Sequence, residues 1–240
     1  MMKVVLGFLH SCVIGAQTTF SRDLEPEYLA LSSDGKTVYV SLQENSAMAI
    51  FDLETKKIKD IKPLAAKSWA STNAGLDASN SNSAINMQKW NIYGMLQADT
   101  IDIYKGSDGK EYLVTANEGD DKEYNWGSTC TWTEMKRVKS MIGAGTVTGL
   151  TQADLPDDTK LGRIKAGLFD QRASITSGDY NKIYTMGGRS FSIINPETMA
   201  TVYDSGSLME EILKDNYPKI FNSDAEENSR QEAQMDGRCG

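Results

Sequence analysis

The sequence predicts an all-β fold, β-propeller-like and incomplete, with about three blades, long inserted loops and a minor helix near 207–217. Three observations predict it. A strand-turn-strand unit occurs three times, Asp-Gly turns separate alternating apolar runs, and an Asp-x-x-Thr or related turn closes the clearest units.

In the first unit, Tyr28-Leu29-Ala30-Leu31 is followed by the turn Ser33-Asp34-Gly35-Lys36. Val38–Leu42, the break Gln43-Glu44-Asn45 and Ala47–Phe51 come next, and Asp52-Leu53-Glu54-Thr55 ends the run. Side chains that alternate in polarity suit a strand with one buried face, and Asp-Gly supplies the backbone conformation of a tight hairpin. Ser107-Asp108-Gly109-Lys110 repeats the turn between Ile101–Tyr104 and Tyr112–Thr115, and Asn117-Glu118-Gly119-Asp120 closes that unit. A looser third copy begins at Gly178-Asp179-Tyr180-Asn181-Lys182. It continues through Ile183–Met186, Gly187-Gly188-Arg189 and Ser190–Ile194, and ends at Asn195-Pro196-Glu197-Thr198. Tyr39, Tyr112 and Tyr184 are spaced 73 and 72 residues apart. A compact blade takes roughly 40–45 residues. The excess falls on 63–94 and 121–165, stretches rich in Ser, Asn, Gly, Asp and Thr that read as insertions.

Residues 1–16 have a positive charge, a short apolar core and Ala16, and they read as a secretory signal peptide; a buried first strand is the alternative. The propeller domain then covers 23–224, and 225–240 form a divergent polar tail. Ser207 followed by Glu210 gives a capping box for a helix whose Leu208, Ile212 and Leu213 form a packing stripe, with Pro218 as the stop. A shorter helix is expected over Thr133–Lys139, and Trp69, Trp90, Trp126 and Trp132 are expected to pack the inserted loops.

The chain has 240 residues and a net charge of −8, so it has no basic face to neutralise a nucleic-acid backbone or an anionic membrane. Its one histidine, His10, lies in the leader, which disfavours a Ser-His-Asp or Cys-His mechanism and a His-rich zinc or copper site. Any metal would be held by oxygen, hence Ca2+ or magnesium. Cys12, Cys130 and Cys239 fit no zinc or redox spacing; Cys130 and Cys239 either pair or remain free thiols.

The strongest candidate for chemistry is acidic. Asp99 precedes one strand of the second unit, and Glu118 and Asp120 follow the next. Neighbouring antiparallel strands would bring the start of one and the end of the other to the same rim. There the carboxylates, with amide oxygens from Gln97 and Asn117, could meet one cation, and Gly119 would permit close backbone approach. A solvated turn is the alternative. Glu25 and Glu27 flank Pro26 at the entry to the first strand and read either as channel-facing carboxylates or as an ordinary loop. Gly187-Gly188-Arg189-Ser190 could offer backbone N–H groups and a guanidinium to an anion, or be a hairpin with a surface Arg189.

Several segments together resemble the mesenchyme-specific cell-surface glycoproteins and the related bacterial surface proteins with a choice-of-anchor domain. They are DLEPEYLALSSDGKTVYVSLQENSAMAIFDLET from Asp23, GLDASNSNSAIN from Gly75, YGMLQADTIDIY from Tyr93 and YLVTANEGDDKEY from Tyr112, followed by LGRIKA from Leu161, MGGRSFSII from Met186 and FNSD from Phe221. The resemblance implies a β-propeller, an extracellular or cell-surface location, association with biomineral-forming cells and no defined catalytic activity. It also implies an acidic calcium loop at Asp77. Here that loop reads Asp77-Ala78-Ser79-Asn80-Ser81-Asn82-Ser83, which has lost carboxylates and therefore attraction for a hard cation. Asp224 is a further candidate oxygen ligand. No Asn-x-Ser/Thr sequon occurs.

These readings predict a non-enzymatic secreted or surface binding protein, with matrix or mineral-associated proteins as partners. The alternatives are a metal-dependent phosphoesterase, with Arg189 steadying the phosphate, and a non-functional fragment of a longer surface protein. An unclosed ring leaves an open flank through which the chain could self-associate.

Overall fold

The computed structural model describes residues 23–82, 84–126, 130–167, 172–174 and 179–222. The leader at 1–16, His10, Cys12, Ser83, Asp224, Cys239 and the tail at 225–240 lie outside the described residues.

The first sheet is an antiparallel meander of β1 (Pro26–Leu31), β2 (Thr37–Leu42), β3 (Ala47–Asp52) and β4 (Lys57–Pro63), in that order. Gly35 takes φ +70 in the first turn, and the Asp34 carboxylate accepts hydrogen bonds from the Ser32 hydroxyl (2.7 Å) and the Lys36 amide (3.0 Å). The Thr55 amide donates to Asp52 Oδ1 at 2.8 Å in the last turn, and Lys56 follows at φ 56. These side-chain bonds replace backbone partners that the turn leaves unpaired, which is why Asp is favoured there.

The intervening segment carries β5 (Ala66–Ser68), β6 (Leu76–Asp77), β7 (Met87–Gln88) and β8 (Tyr93–Met95). Then come β9 (Gln97–Lys105) and β10 (Glu111–Glu118), joined through Gly109 at φ +79. A second excursion contains β11 (Glu123–Trp126), β12 (Cys130–Thr133), β13 (Met135–Arg137), helix α1 (Val138–Ile142), β14 (Lys165–Gly167), β15 (Arg172–Ser174), β16 (Asp179–Tyr180) and β17 (Tyr184–Met186). The chain closes with β18 (Ser190–Ile194), β19 (Thr201–Asp204) and helix α2 (Leu208–Asn216).

The second four-stranded sheet has the order β19-β18-β10-β9. The fold is all-β and propeller-like, as the sequence predicts, but the third repeat is not a blade of its own. Its first strand, β17, pairs in parallel with β8 in the three-stranded sheet β17-β8-β5, while β18 pairs with β10 and supplies the outer half of the second blade. The backbone explains why. Ser46 (φ 49) immediately precedes β3, and Arg189 (φ 47) immediately precedes β18; Lys56 (φ 56) and Met199 (φ 57) hold matching places before β4 and β19. The Asn195 side chain accepts from the Glu197 and Thr198 amides (2.9 and 3.1 Å), as Asp52 does from Thr55. Residues 119–187 are therefore an insertion between the second and third strands of one meander.

The two blades pack face to face through Ala30, Tyr39, Met48 and Ile50 of the first and Ile101, Leu113 and Ile194 of the second, with β1 alongside β9. The insertions hold a separate core that includes Trp69, Leu76, Trp90, Ile92, Leu161 and Ile164. Trp69 and Trp90 thus pack the inserted segments as expected, and Trp90 Nε1 donates to the Leu76 carbonyl at 3.2 Å. The expected helix at Thr133–Lys139 is mostly strand β13; α1 begins only at Val138.

Helix α2 forms where predicted, but it is turned over. Leu208 and Ile212 are 43% and 48% exposed, and Glu210 is the buried residue. Ser207 makes no side-chain cap to the helix; its hydroxyl donates to the Gly75 carbonyl at 2.9 Å and accepts the Gly75 amide. Glu210 is drawn inward by Arg189, and that ionic attraction overrides the apolar stripe.

Candidate functional site

Two polar assemblies stand out. The first lies at the rim where β1 begins, the β2–β3 turn passes, β9 begins and β10 ends. Glu118 pairs with Gln97 across β10 and β9, which places the start of one strand beside the end of the other. The Gln97 amide donates to the Asp120 carbonyl (2.6 Å), and its oxygen accepts the Gly187 amide (2.8 Å). Gln97 therefore acts as a clamp on the insertion. Gly119 is required at this crossing: a Cβ there would lie 2.6 Å from Gly187 Cα. Gln43 Nε2 donates to Glu118 Oε2 at 3.1 Å.

Glu44, in the β2–β3 turn, joins this rim. Burial, a hydrogen bond with Glu25, and the charges of Glu25 and Asp120 push its carboxyl up to about 9, against a smaller lowering by Lys122. Glu44 therefore holds its proton at neutral pH. Neighbouring Lys122 is fixed by Asp23, with Nζ 3.0 Å from Oδ1 and donating to the Asp23 carbonyl at 2.6 Å. Asn45 Nδ2 donates to the same carbonyl at 3.0 Å.

The sequence-predicted ligands divide between the two assemblies. Glu118 and Asp120 belong to the rim. Asp99 lies two residues along β9 from Gln97; its carboxylate accepts the Thr100 hydroxyl (3.2 Å) and its carbonyl the Ser41 hydroxyl (3.3 Å). Asn117, expected at the rim, is turned to the other face of β10. It donates to Ser192 Oγ (2.6 Å) and accepts the Thr115 hydroxyl (2.9 Å). Adjacent strand residues point to opposite faces, so Asn117 and Glu118 cannot share one. Asp77 is buried in β6 and contributes charge near Glu210. Its loop is tied down by serines, with Ser81 Oγ donating to the Asp158 carbonyl at 2.6 Å. Among the described residues, no group of three or more Asp, Glu, Cys or His side chains is arranged to hold a metal ion.

The second assembly is interior. Lys67 Nζ donates to the Gly188 and Gly206 carbonyls (2.7 Å each), lies 3.6 Å from Asp204 Oδ1, and sits 4.2 Å from the centre of the Trp69 ring. Burial lowers its pKa, while the charges of Asp204 and Glu210 oppose that shift. Asp204 Oδ2 accepts the Ser190 (2.7 Å) and Ser192 (2.8 Å) hydroxyls. Arg189 Nη2 contacts Glu210 Oε1 and donates to Asn222 Oδ1, both at 2.9 Å. The Glu210 contact lacks hydrogen-bond alignment, so both Glu210 oxygens and Arg189 Nη1 are buried without a hydrogen-bond partner. Burial raises the Glu210 pKa, and Arg189 and then Lys67 pull it back. Arg189, a candidate for anion binding, is thus committed to an internal carboxylate.

Sequence reasoning missed Glu44 as a titrating group, and also Lys67, Asp204 and the Asp23–Lys122 pair. Lys67 gave one signal: it is the only charge in the run Leu64–Ala70.

The chain matches the choice-of-anchor I domain over residues 8–240. It is 29% identical over 224 residues to the mesenchyme-specific cell surface glycoprotein of Strongylocentrotus purpuratus, covering 86% of this chain and 28% of that protein. A 66-residue stretch is 41% identical to gigasin-3a of Magallana gigas, covering 28% of this chain and 22% of that one. The chain thus spans under a third of the length of either relative. A chain of Kuenenia stuttgartiensis hydrazine synthase aligns over 80% of this chain and 52% of its own, with 16% identity and a TM-score of 0.22. The breadth of the domain match shows that this chain belongs to the choice-of-anchor I family.

Proposed function

We propose that this chain is part of a secreted or cell-surface, propeller-type binding protein that is non-enzymatic, acts among matrix or mineral-associated proteins, and attracts calcium weakly through its acidic rim. The surface location is supported by the name of the sea-urchin relative, a cell surface glycoprotein, and by family membership. The cation affinity is supported by one observation. The Glu44 carboxyl is pushed up to about 9 first by burial and then by a hydrogen bond with Glu25 and repulsion from Glu25 and Asp120. A hard cation would relieve that repulsion, and Glu118 adds a further carboxylate at the rim. Because the side chains form no preorganised cage and Glu44 must release a proton first, the affinity expected is weak, about that of extracellular calcium modules at 10⁻⁴–10⁻³ M.

No observation favours phosphoesterase chemistry. Arg189, its phosphate-steadying residue, is paired with Glu210.

Isothermal titration with calcium, beside hydrolysis of a generic phosphate monoester, tests the reading. Weak binding that releases protons, strengthens from pH 7 to 9 and is lost in Asp120→Asn, all without turnover, is the expected result. Turnover abolished by Asp99→Ala and Glu118→Ala would replace it with the enzymatic reading, and no binding at either pH would remove the calcium component.

A further inference from the structure

We propose that the cleft between helix α2 and the β6–β7 segment binds one acidic monosaccharide unit, a ring that bears a single carboxylate and several hydroxyls. The proposal does not rest on the acidic rim or on its affinity for calcium.

The cleft has a volume of about 290 Å³. Ligand pockets run from roughly 300 to 1,000 Å³, so this one suits a single small molecule rather than a length of chain. Residues 72–75 and 87–89 form one wall, and α2 forms the other through Glu211 and Lys214. Those two residues are three apart and so share a face of the helix.

The two walls are joined by hydrogen bonds. The Ser207 hydroxyl donates to the Gly75 carbonyl at 2.9 Å and accepts the Gly75 amide. The Asn73 carbonyl accepts the Ser207 amide at 3.0 Å, and Asn73 Nδ2 donates to the Asp204 carbonyl at 3.2 Å. The serine that the sequence offers as a helix cap serves this joint instead, and makes no side-chain cap to α2. A cleft held open in this way is formed before a ligand arrives, which cuts the ordering cost of binding.

The lining chooses the ligand. Lys89 and Lys214 bring two positive charges to the cleft and Glu211 one negative, a net +1 in a chain of net charge −8. Lys214 also lies 3.4 Å from Asp215, in an exposed pair whose attraction is weak. One carboxylate balances the lining. A phosphate group, with about −1.5 to −2 charge near neutral pH, would set surplus negative charge against Glu211. Among the described residues, the side chains of Thr72, Gln88, Lys89 and Glu211 hold no hydrogen bond or ion pair of their own. Thr72 and Gln88 therefore offer a hydroxyl and an amide to ligand hydroxyls, and Met87 offers an apolar surface to the C–H groups of a sugar ring. No aromatic side chain lines the cleft, which disfavours a planar base as the ligand.

Saturation-transfer NMR and isothermal titration of the full chain with glucuronate, glucose and acetate, in calcium-free buffer, test this. Glucuronate is expected to bind. Glucose, which lacks the charge, and acetate, which lacks the hydroxyls, should each bind at least about tenfold more weakly. Lys89→Gln and Lys214→Gln should each weaken glucuronate about tenfold, with circular dichroism unchanged. Lys59→Gln, on β4 and outside the cleft, should leave binding as it is. Absence of glucuronate binding overturns the proposal, and so does glucose or acetate binding as tightly as glucuronate. Cleft variants that bind like the wild type overturn it too, as does a loss in Lys59→Gln equal to theirs, which would mean diffuse attraction between charges.

Discussion

Replacing Arg189 with alanine is expected to cost about 3 kcal/mol of folding stability, read as a fall in the urea midpoint at constant slope. Arg189 is held at φ 47 at the point where the insertion rejoins the second blade, and its guanidinium reaches Glu210 at 2.9 Å. The two side chains are 15% and 3% exposed. Removing one member of so buried a pair strands the other, and Glu210 already lacks hydrogen-bond partners for its oxygens. The estimate is the low end of what such a loss costs, for two reasons. Lys67 remains as a second cation, and burial already biases Glu210 towards its neutral form. Glu210→Gln should therefore cost less than Arg189→Ala. In the double variant the two losses should fall short of their sum, because one interaction is being removed twice.

The second large effect is expected at Gly187. Gly187→Ala should destabilise by about 3 kcal/mol, combining a left-handed backbone with a steric clash. Gly187 has φ +78, and an added Cβ would lie 2.3 Å from the Glu118 carbonyl oxygen and 2.7 Å from Gly119 Cα. Both obstacles are backbone, which cannot rotate aside. Their displacement would also break the Gln97 clamp, whose oxygen accepts the Gly187 amide at 2.8 Å. Gly35→Ala is the comparison, because Gly35 has φ +70 but nothing within 4 Å of the added Cβ. It isolates the conformational part, about 1–2 kcal/mol. Thermal melts of the two variants should therefore differ, with Gly187→Ala the lower.

The sequence announced what is local. Ser33–Lys36 and Ser107–Lys110 are both hairpin turns with glycine at positive φ, and Asp52 and Asn195 both close turns through their side chains. A turn is specified by residues a few positions apart, and one sequence displays them. Pairing across an insertion is not displayed. β18 has the alternation of a strand and was recognised as one, yet nothing in Ser190–Ile194 names β10 as its neighbour. The near-equal tyrosine spacings suggested three like units, whereas Tyr39 and Tyr112 lie on corresponding second strands and Tyr184 lies on β17.

The site was legible to a similar degree. The prediction that the start of β9 and the end of β10 share a rim is met by the Gln97–Glu118 pairing. Strand alternation, applied strictly, would have sent Asn117 inward. Glu44 reads in the sequence as part of a polar break, since its high pKa depends first on burial and then on Glu25 and Asp120, which come from separate parts of the chain. Helix α2 shows the same limit. Its position follows from Ser207 and Pro218, but its buried face follows from an arginine 21 residues earlier in the sequence, which amphipathic periodicity does not weigh.

The most direct test of the convergent acidic rim is a carbon-13 NMR titration of the Glu44 carboxyl, with and without calcium. The account predicts an apparent pKa near 9, falling when calcium is added. A Glu44 that titrates near the ordinary glutamate value of about 4.3 and ignores calcium would contradict it.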